Sequence, residues 1–289
     1  MKKRVGIFAF ITAMTITSVF GLVPVGTAGT SDSATIVTVK AAAKKGFVKK
    51  SGKWYYYKNG KKVTGLQKVG KKYYFFDKKG VMKSGKKTVS GFTYYFNKAK
   101  DGKAPALVSK SKKISGKTWY FSAKGRGFYS VGDTTGDKAV AKLWDKLEED
   151  AFDGISSDED RLRVVFDAVL ENMTYAGYIK TKHDDSNWQF DDALTAISGG
   201  KGKCFHYASL TGLAVKALGI KSDIIVGEGT RGDRASEHAW VLVNDKYVID
   251  TVYNDDDGKG KVEKYVYFYK TYDELKENPG TTYKEVNRY

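Results

Sequence analysis

GKGKCFHYASL, residues 200–210, contains the single cysteine of this 289-residue chain, where a glycine-rich loop leads into a helix. The apolar residues after Cys204 recur at helical spacing up to Leu218, and Gly219 ends the pattern. A cysteine at the start of a helix faces the positive end of the helix dipole, which favours the thiolate. The unpaired backbone N–H groups of the first turn can hold an oxyanion. This stretch therefore predicts a nucleophilic cysteine at the start of a helix.

Two motifs downstream supply an imidazole and a carboxylate, SEHAW at 236–240 and KYVID at 246–250. The Asn-Asp pair between them is a turn signal and predicts a hairpin. A three-residue loop would place Asp250 opposite Trp240 and leave His238 diagonal to the carboxylate on the same face. A carboxylate so close fixes the tautomer of the imidazole, which can then take the thiol proton. Cysteine, histidine and aspartate in this order predict a catalytic triad.

A metal site is a second interpretation of the same region, with Cys204, His206 and His238 as ligands. These residues lack a fourth ligand and the paired spacing of zinc sites, so we expect no metal and no other cofactor. A single cysteine also excludes an internal disulfide, and the folded domains must depend on their cores.

Four aromatic clusters recur about every 20 residues between residues 46 and 132. Each lies between glycine-containing turns, as in SGKWYYYKNGKKVTG at 51–65 and VGKKYYFFDKKG at 69–80. An aromatic strand followed by a glycine turn is typical of a β-hairpin, and hairpins this small must stack to bury their rings. The pattern predicts a β-hairpin solenoid. The aromatic residues expected to contact a ligand are Trp54, Tyr56, Tyr74, Phe76, Tyr95, Trp119 and Phe121.

The sequence after about Asp133 changes to amphipathic helices followed by strands. The spacing predicts helices at 138–152, 157–173 and 190–198, besides the one that begins at Cys204. Strands are predicted at 223–227, 238–243, 246–250 and 262–269. Helices first and strands after indicate an α+β domain over residues 133–289 with an antiparallel sheet.

Charge is distributed unevenly between these two parts. Residues 1–132 contain 29 basic and 3 acidic residues, a net of +26, whereas residues 133–289 contain 21 and 30, a net of −9. Such asymmetry predicts two modules with different partners, and the lysine-rich array suits anionic polymers. We expect no nucleic-acid partner, because the chain also carries an export signal.

The first 28 residues have the features of a secretory signal, with a basic cluster at 2–4 and an apolar stretch to about Val25. Ala28 offers a small-residue cleavage site, and residues 41–43 offer a later one. An uncleaved membrane anchor is the alternative, because the stretch approaches spanning length. We expect a secreted protein without a stable membrane span after cleavage.

The motifs around the predicted triad resemble the core of the transglutaminase-like superfamily: G-x-C-x-x-Y-A at 202–208, H-A-W at 238–240 and D-T at 250–251. The resemblance covers roughly residues 157–255. It implies a papain-like active-site plan with Cys204 as nucleophile, His238 as general base and acid, and Asp250 as orienting carboxylate.

Three residues near the predicted triad are candidates for the oxyanion or substrate pocket. Tyr175, in NMTYAGY at 172–178, matches an aromatic residue that family members carry upstream of the cysteine. His206 departs from the glycine of many members and could narrow the pocket or point to solvent, and Trp240 lies two positions after His238.

The aromatic array resembles the cell-wall-binding, choline-binding-like repeats of Gram-positive surface proteins. The tryptophan that usually follows the first glycine is replaced in Gly46-Phe47, Gly65-Leu66 and Gly85-Lys86. Those tryptophans help to form the choline cage, so we expect anionic glycopolymers or peptidoglycan, and not choline, as the wall ligand. A basic spacer without a ligand is the alternative.

Together the two resemblances imply an exported Gram-positive surface protein, associated with the cell wall. They imply amide hydrolysis or acyl transfer on a protein or peptide substrate through a Cys204 thioester. Water as the acceptor would make the protein a cysteine peptidase or amidase, and an amine would make it a cross-linking transferase. A non-catalytic wall-binding adhesin with a vestigial triad is the alternative.

Overall fold

The aromatic repeats fold into antiparallel hairpins, as predicted. The computed structural model describes residues 44–177, 187–254, 265–277 and 281–289. The predicted signal segment with its cleavage sites, and the first part of the strand expected at 262–269, lie outside the described residues. The first two hairpins, each with a short third strand, comprise β1 Gly46–Lys50, β2 Lys53–Lys58, β3 Lys61–Lys62, β4 Gly65–Val69, β5 Lys72–Phe76 and β6 Met82–Lys83.

The turn between β1 and β2 shows why these sequences form hairpins. Ser51 and Gly52 both have positive φ, 47° and 73°, which is the type I′ geometry whose twist matches that of the two strands. The same serine–glycine pair recurs with positive φ at residues 90–91 and 115–116. Each pair therefore fixes the register of one hairpin.

The third and fourth hairpins are joined in one five-stranded sheet. Its strands are β7 Gly85–Val89, β8 Phe92–Phe96, β9 Lys110–Ile114, β10 Lys117–Phe121 and β11 Gly127–Tyr129, in the order β7-β8-β11-β10-β9. Gly127 lies opposite Thr93, and a Cβ there would come within 2.6 Å of the Phe121 ring. Only glycine fits this junction. The hairpin repeats are confirmed, and their winding into a solenoid stays a prediction.

Helices precede the second large sheet, as predicted. They are α1 Thr134–Lys146, α2 Asp158–Asn172, α3 Trp188–Gly199 and α4 Cys204–Ala217, with the short strands β12 Thr174–Tyr175 and β13 Lys201–Gly202 between them. The first helix was predicted at 138–152, but Asp133 caps it earlier by accepting from the N–H groups of Thr135 and Gly136. Leu147 then turns into an extended conformation, which ends the helix early.

The second sheet is antiparallel and carries the strand order β17-β16-β15-β14-β18. Its strands are β14 Ser222–Arg231, β15 Arg234–Val243, β16 Tyr247–Ile249, β17 Phe268–Lys270 and β18 Thr282–Arg288, with short helices α5 Thr251–Asn254 and α6 Tyr272–Glu277. The last strand, β18, was not predicted. Helix α4 packs closely on this sheet, because a Cβ at Gly212 would lie 2.6 Å from Ile224. The α+β fold class is confirmed.

Aromatic side chains join the repeats to the first helix and to the segment that follows it. Phe128 lies 5.4 Å from Trp144 between ring centroids, and Phe92 lies 5.2 Å from Phe152. The buried Arg126 guanidinium donates to the carbonyl oxygens at the end of α1, including that of Trp144 at 2.8 Å. Repeats and helices therefore share one core. Among the helices of the described residues, none is long and apolar enough to cross a membrane.

Candidate active site

Cys204 is the first residue of α4, and its side chain is partly exposed. Strand β13 holds the preceding loop by parallel pairing with β12, in which Tyr175 lies opposite Gly202. Gly202 is packed tightly, because a Cβ at this position would lie 2.4 Å from the Cβ of His206. The loop and the first turn of the helix are thus fixed against each other, and the thiol remains accessible.

The β15–β16 hairpin brings His238 and Asp250 together as the loop length predicted. Val243 pairs with Tyr247 across a three-residue loop, in which Asn244 and Asp245 have φ of 52° and 56°. This register places Asp250 next to the histidine, and the two side chains meet directly.

The three predicted triad residues form one connected group. The distance between His238 Nε2 and Asp250 Oδ2 is 2.7 Å, and these side chains are only 4% and 1% exposed. The Cys204 side chain is hydrogen-bonded to the same imidazole. Because Asp250 occupies Nε2, the nitrogen that faces the thiol is Nδ1. The imidazole therefore lies between a nucleophile and an orienting carboxylate.

The His238 pKa reflects this position. Burial lowers the pKa of the imidazole, but the Asp250 carboxylate and Cys204 raise it by more, so that it reaches about 10. The protonated imidazolium is therefore favoured at neutral pH, and the negative groups on its two sides stabilise it. A site of this kind suits a thiolate–imidazolium pair.

Two tyrosines complete the site, and the sequence did not reveal either of them. The Tyr253 ring stacks on the imidazole with centroids 4.1 Å apart and an angle of 8° between planes. The Tyr283 hydroxyl donates to Asp250 Oδ2 at 2.9 Å, and burial first, then Asp250, raises the pKa of this phenol well above its usual value. Asp250 Oδ1 accepts from the backbone N–H groups of Val252 and Tyr253. Both oxygens of the carboxylate are thus fixed.

Of the three residues expected in the pocket, Tyr175 alone is well exposed, at 41%. Trp240 is buried and donates from Nε1 to the Tyr272 hydroxyl at 3.0 Å. His206 is buried, and its Nδ1 accepts from the backbone N–H of Lys203 at 3.4 Å. Trp240 and His206 support the site from inside, whereas Tyr175 lies at the surface beside the cysteine loop. No metal-binding cluster of histidine, cysteine or acidic residues occurs in the described part of the chain.

The repeat aromatics divide into buried and surface residues. Phe76 and Phe121 are completely buried, and Tyr74 and Trp119 are 6% and 8% exposed, so these rings mainly hold the repeats together. The partly exposed members of the predicted set are Trp54, Tyr56 and Tyr95. Lysines stand over several rings of the array, among them the pairs Lys62–Tyr55 (4.3 Å), Lys86–Trp119 (4.4 Å), Lys112–Tyr95 (4.7 Å) and Lys117–Tyr129 (4.7 Å).

Comparison with protein families confirms both resemblances. Residues 145–269 match the transglutaminase-like superfamily, and residues 45–60 and 64–82 match the cell wall binding repeat. The chain therefore combines a transglutaminase-like domain with choline-binding-type repeats, an arrangement that indicates association with the cell wall.

Solved structures with similarity to this chain include choline binding protein F from Streptococcus pneumoniae, at 29% identity and a TM-score of 0.26. The overlap covers 31% of this chain and 30% of that protein, so the chain spans less than a third of its length. The choline binding domain of Spr1274 from the same species is 29% identical over 29% of this chain and 95% of the domain, with a TM-score of 0.24. A multimodular cell wall endolysin from phage Cp-1 is 24% identical over 30% of this chain and 25% of the endolysin, with a TM-score of 0.22. No curated protein matches the chain.

Proposed function

We propose that this protein is an exported cysteine enzyme that transfers acyl groups from amide bonds of protein or peptide substrates at the cell wall. The observation that carries the proposal is the 2.7 Å contact between His238 Nε2 and Asp250 Oδ2, with Cys204 hydrogen-bonded to the same ring. A histidine with only a packing role would not need contacts to both a buried carboxylate and an accessible thiol. The match of this region to the transglutaminase-like superfamily supports the assignment.

In the first half of the reaction, the Cys204 sulfur, whose proton His238 already holds, attacks the amide carbonyl carbon. A C–S bond forms, and the carbonyl oxygen becomes an oxyanion. Backbone N–H groups of the first turn of α4 are suited to stabilise that charge. The C–N bond then breaks, and the leaving amine takes the proton from the imidazolium. The product is a thioester on Cys204.

In the second half, an acceptor attacks the thioester while His238 takes a proton from it. Water yields a carboxylic acid, the product of a peptidase or amidase. An amine yields a new amide and therefore a cross-link. In both cases the sulfur leaves as thiolate and the resting site is restored. The acyl-enzyme step is common to the two outcomes.

The repeats hold this chemistry at the wall. Residues 46–132 contain 23 basic and 2 acidic residues, a net charge of +21, and several lysines are fixed over aromatic rings, where their ammonium groups remain near the surface. We assign anionic glycopolymers or peptidoglycan as the ligand on this basis. Choline groups on wall polymers are the competing ligand, which the match to choline-binding repeats favours.

An electrophilic thiol probe tests the catalytic assignment on the full chain. We expect the probe to label Cys204, and we expect Cys204→Ser to lower turnover by at least about a thousandfold, since a hydroxyl is a far poorer nucleophile at neutral pH. Ser209→Ala, in the same helix but buried away from solvent, is the matched control and should retain activity. Acyl groups trapped on the wild-type thiol then identify the substrate. A thiol that reacts no faster than free cysteine would favour the non-catalytic adhesin.

A further inference from the structure

Three aromatic rings of the first two hairpins form a cluster beside the loop between β8 and β9. Phe47 on β1 meets Trp54 on β2 edge-to-face, with centroids 6.4 Å apart and planes at 87°. Tyr74 on β5 meets the other side of Phe47 at 5.0 Å. The face of an aromatic ring is negative, so a point that lies over the faces of two rings favours a cation.

A cation already occupies that point, and it belongs to the chain itself. The Lys103 Nζ lies 5.2 Å from the Phe47 ring centroid and 5.1 Å from that of Trp54. The Lys103 charge also acts on Tyr74. Burial raises the pKa of the Tyr74 phenol, and Lys103 lowers it by a smaller amount. At the other rings described above, a single lysine stands over a single ring, whereas Lys103 lies over two rings.

The loop between β8 and β9 positions Lys103 by several fixed contacts. Gly102 has φ of +82°, and a Cβ there would lie 2.9 Å from Trp54 Nε1, so the loop backbone touches the indole. The Lys103 backbone N–H donates to Asp101 Oδ1 at 2.9 Å, and its ammonium contacts Asp101 Oδ2 at 2.8 Å. The next N–H, from Ala104, donates to the sulfur of Met82. The hydrogen bonds of this turn therefore fix the position of Lys103 relative to the rings.

The interactions of Lys103 hold it over these rings but allow another cation to displace it. The Lys103–Asp101 ion pair is partly solvated, with side chains 27% and 53% exposed, and such pairs contribute little. Tethering, however, gives the lysine a high effective concentration over any free cation. A quaternary ammonium group would suit the rings equally well but would have to expel the lysine first.

We propose that Phe47, Trp54 and Tyr74 form a cation pocket that the chain fills with its own Lys103, so that free quaternary ammonium ligands are excluded until this lysine leaves. The inference deepens the proposed wall-binding function by specifying what its first aromatic site accepts. It requires the repeats to fold as described, and it does not require the chain to be an enzyme.

Calorimetric titration of the full chain with tetramethylammonium chloride, at constant ionic strength, tests the pocket. We expect Lys103→Ala to bind the probe at least about tenfold more tightly than the wild type. Trp54→Leu in the Lys103→Ala background should abolish the gain. The matched control is Lys112→Ala, which removes the same charge from above the single Tyr95 ring and should gain nothing.

Three outcomes would overturn the proposal: wild-type binding as tight as that of Lys103→Ala, no saturable binding by a folded Lys103→Ala protein, or an equal gain in Lys112→Ala. Thermal unfolding checks that the variants fold, and Lys103→Ser provides a second opening should alanine loosen the loop. Sedimentation with isolated walls is measured in parallel. Wild-type protein that stays in solution there would contradict wall attachment and leave the result for the pocket unaffected.

Discussion

At the scale of single residues, the site depends on how completely Asp250 is held. Oδ2 accepts from both His238 and Tyr283, and Oδ1 accepts from two backbone N–H groups. Asp250→Asn keeps the shape but presents an amide that can select the wrong imidazole tautomer. We expect turnover to fall by about a thousandfold or more while the domain stays folded. Kinetics on the substrate identified by the thiol probe, with circular dichroism as the folding check, measure this.

The pH profile of the same variant separates an electrostatic role from a structural one. Because Asp250 raises the His238 pKa, which reaches about 10, the imidazolium is lost only as the pH rises through that value. Removing the carboxylate charge must lower this pKa, so the alkaline limit of turnover, at which the imidazolium that protonates the leaving amine is lost, should move to lower pH in Asp250→Asn. Asp245→Asn, on the exposed turn of the same hairpin, should leave both rate and limit unchanged. An unshifted limit in Asp250→Asn would show that another acid orients the histidine.

At the scale of elements, local signals predicted that His238 and Asp250 meet, and a long-range pairing adds Tyr283 to them. The β15–β16 hairpin has a loop of fixed length, so its register and the meeting of His238 with Asp250 followed from the sequence. Tyr283 reaches Asp250 only because β18 pairs with β14, more than fifty positions earlier in the chain. That strand, TYKEVNR, is mostly exposed and lacks an apolar face, so no periodicity marked it.

Gly202 allows strand β13 to pack directly against the first turn of helix α4. A Cβ there would lie 2.4 Å from His206 Cβ, so Gly202→Ala must displace the start of the helix that carries Cys204. We expect a loss of about 1–3 kcal/mol in the free energy of unfolding together with slower alkylation of the thiol. Gly199→Ala is the matched control, because nothing lies within 4 Å of a Cβ at that position. Chemical denaturation measures the free energy of unfolding of both variants. Equal values for Gly202→Ala and Gly199→Ala would contradict the tight packing at Gly202.

At the scale of the whole molecule, charge asymmetry predicted two modules, but the structure joins them through a shared core. Gly91 shows how closely they meet, because a Cβ there would lie 2.2 Å from the Phe152 carbonyl oxygen. Composition could not reveal this contact, because the aromatic residues that face the helices are of the same types as those that face the neighbouring hairpin. For the proposed function, one consequence is that wall attachment would fix the orientation of the proposed active site and would not merely tether it.

Binding of the full chain to isolated Gram-positive walls tests the basic surface on which that attachment rests. Salt should weaken the binding, most strongly up to about 0.15 M, where screening reaches a length of about 8 Å, and free choline should elute the protein poorly. Replacement by glutamine of three exposed repeat lysines that stand over rings should reduce binding severalfold; these are Lys62, Lys86 and Lys117. The control changes the net charge equally at three exposed lysines of the helical part and should bind normally; these are Lys138, Lys142 and Lys276. If the two triple variants lost affinity equally, total charge and not the arrangement on the repeats would govern the attachment. Binding that resists salt and yields to free choline would instead identify choline as the ligand.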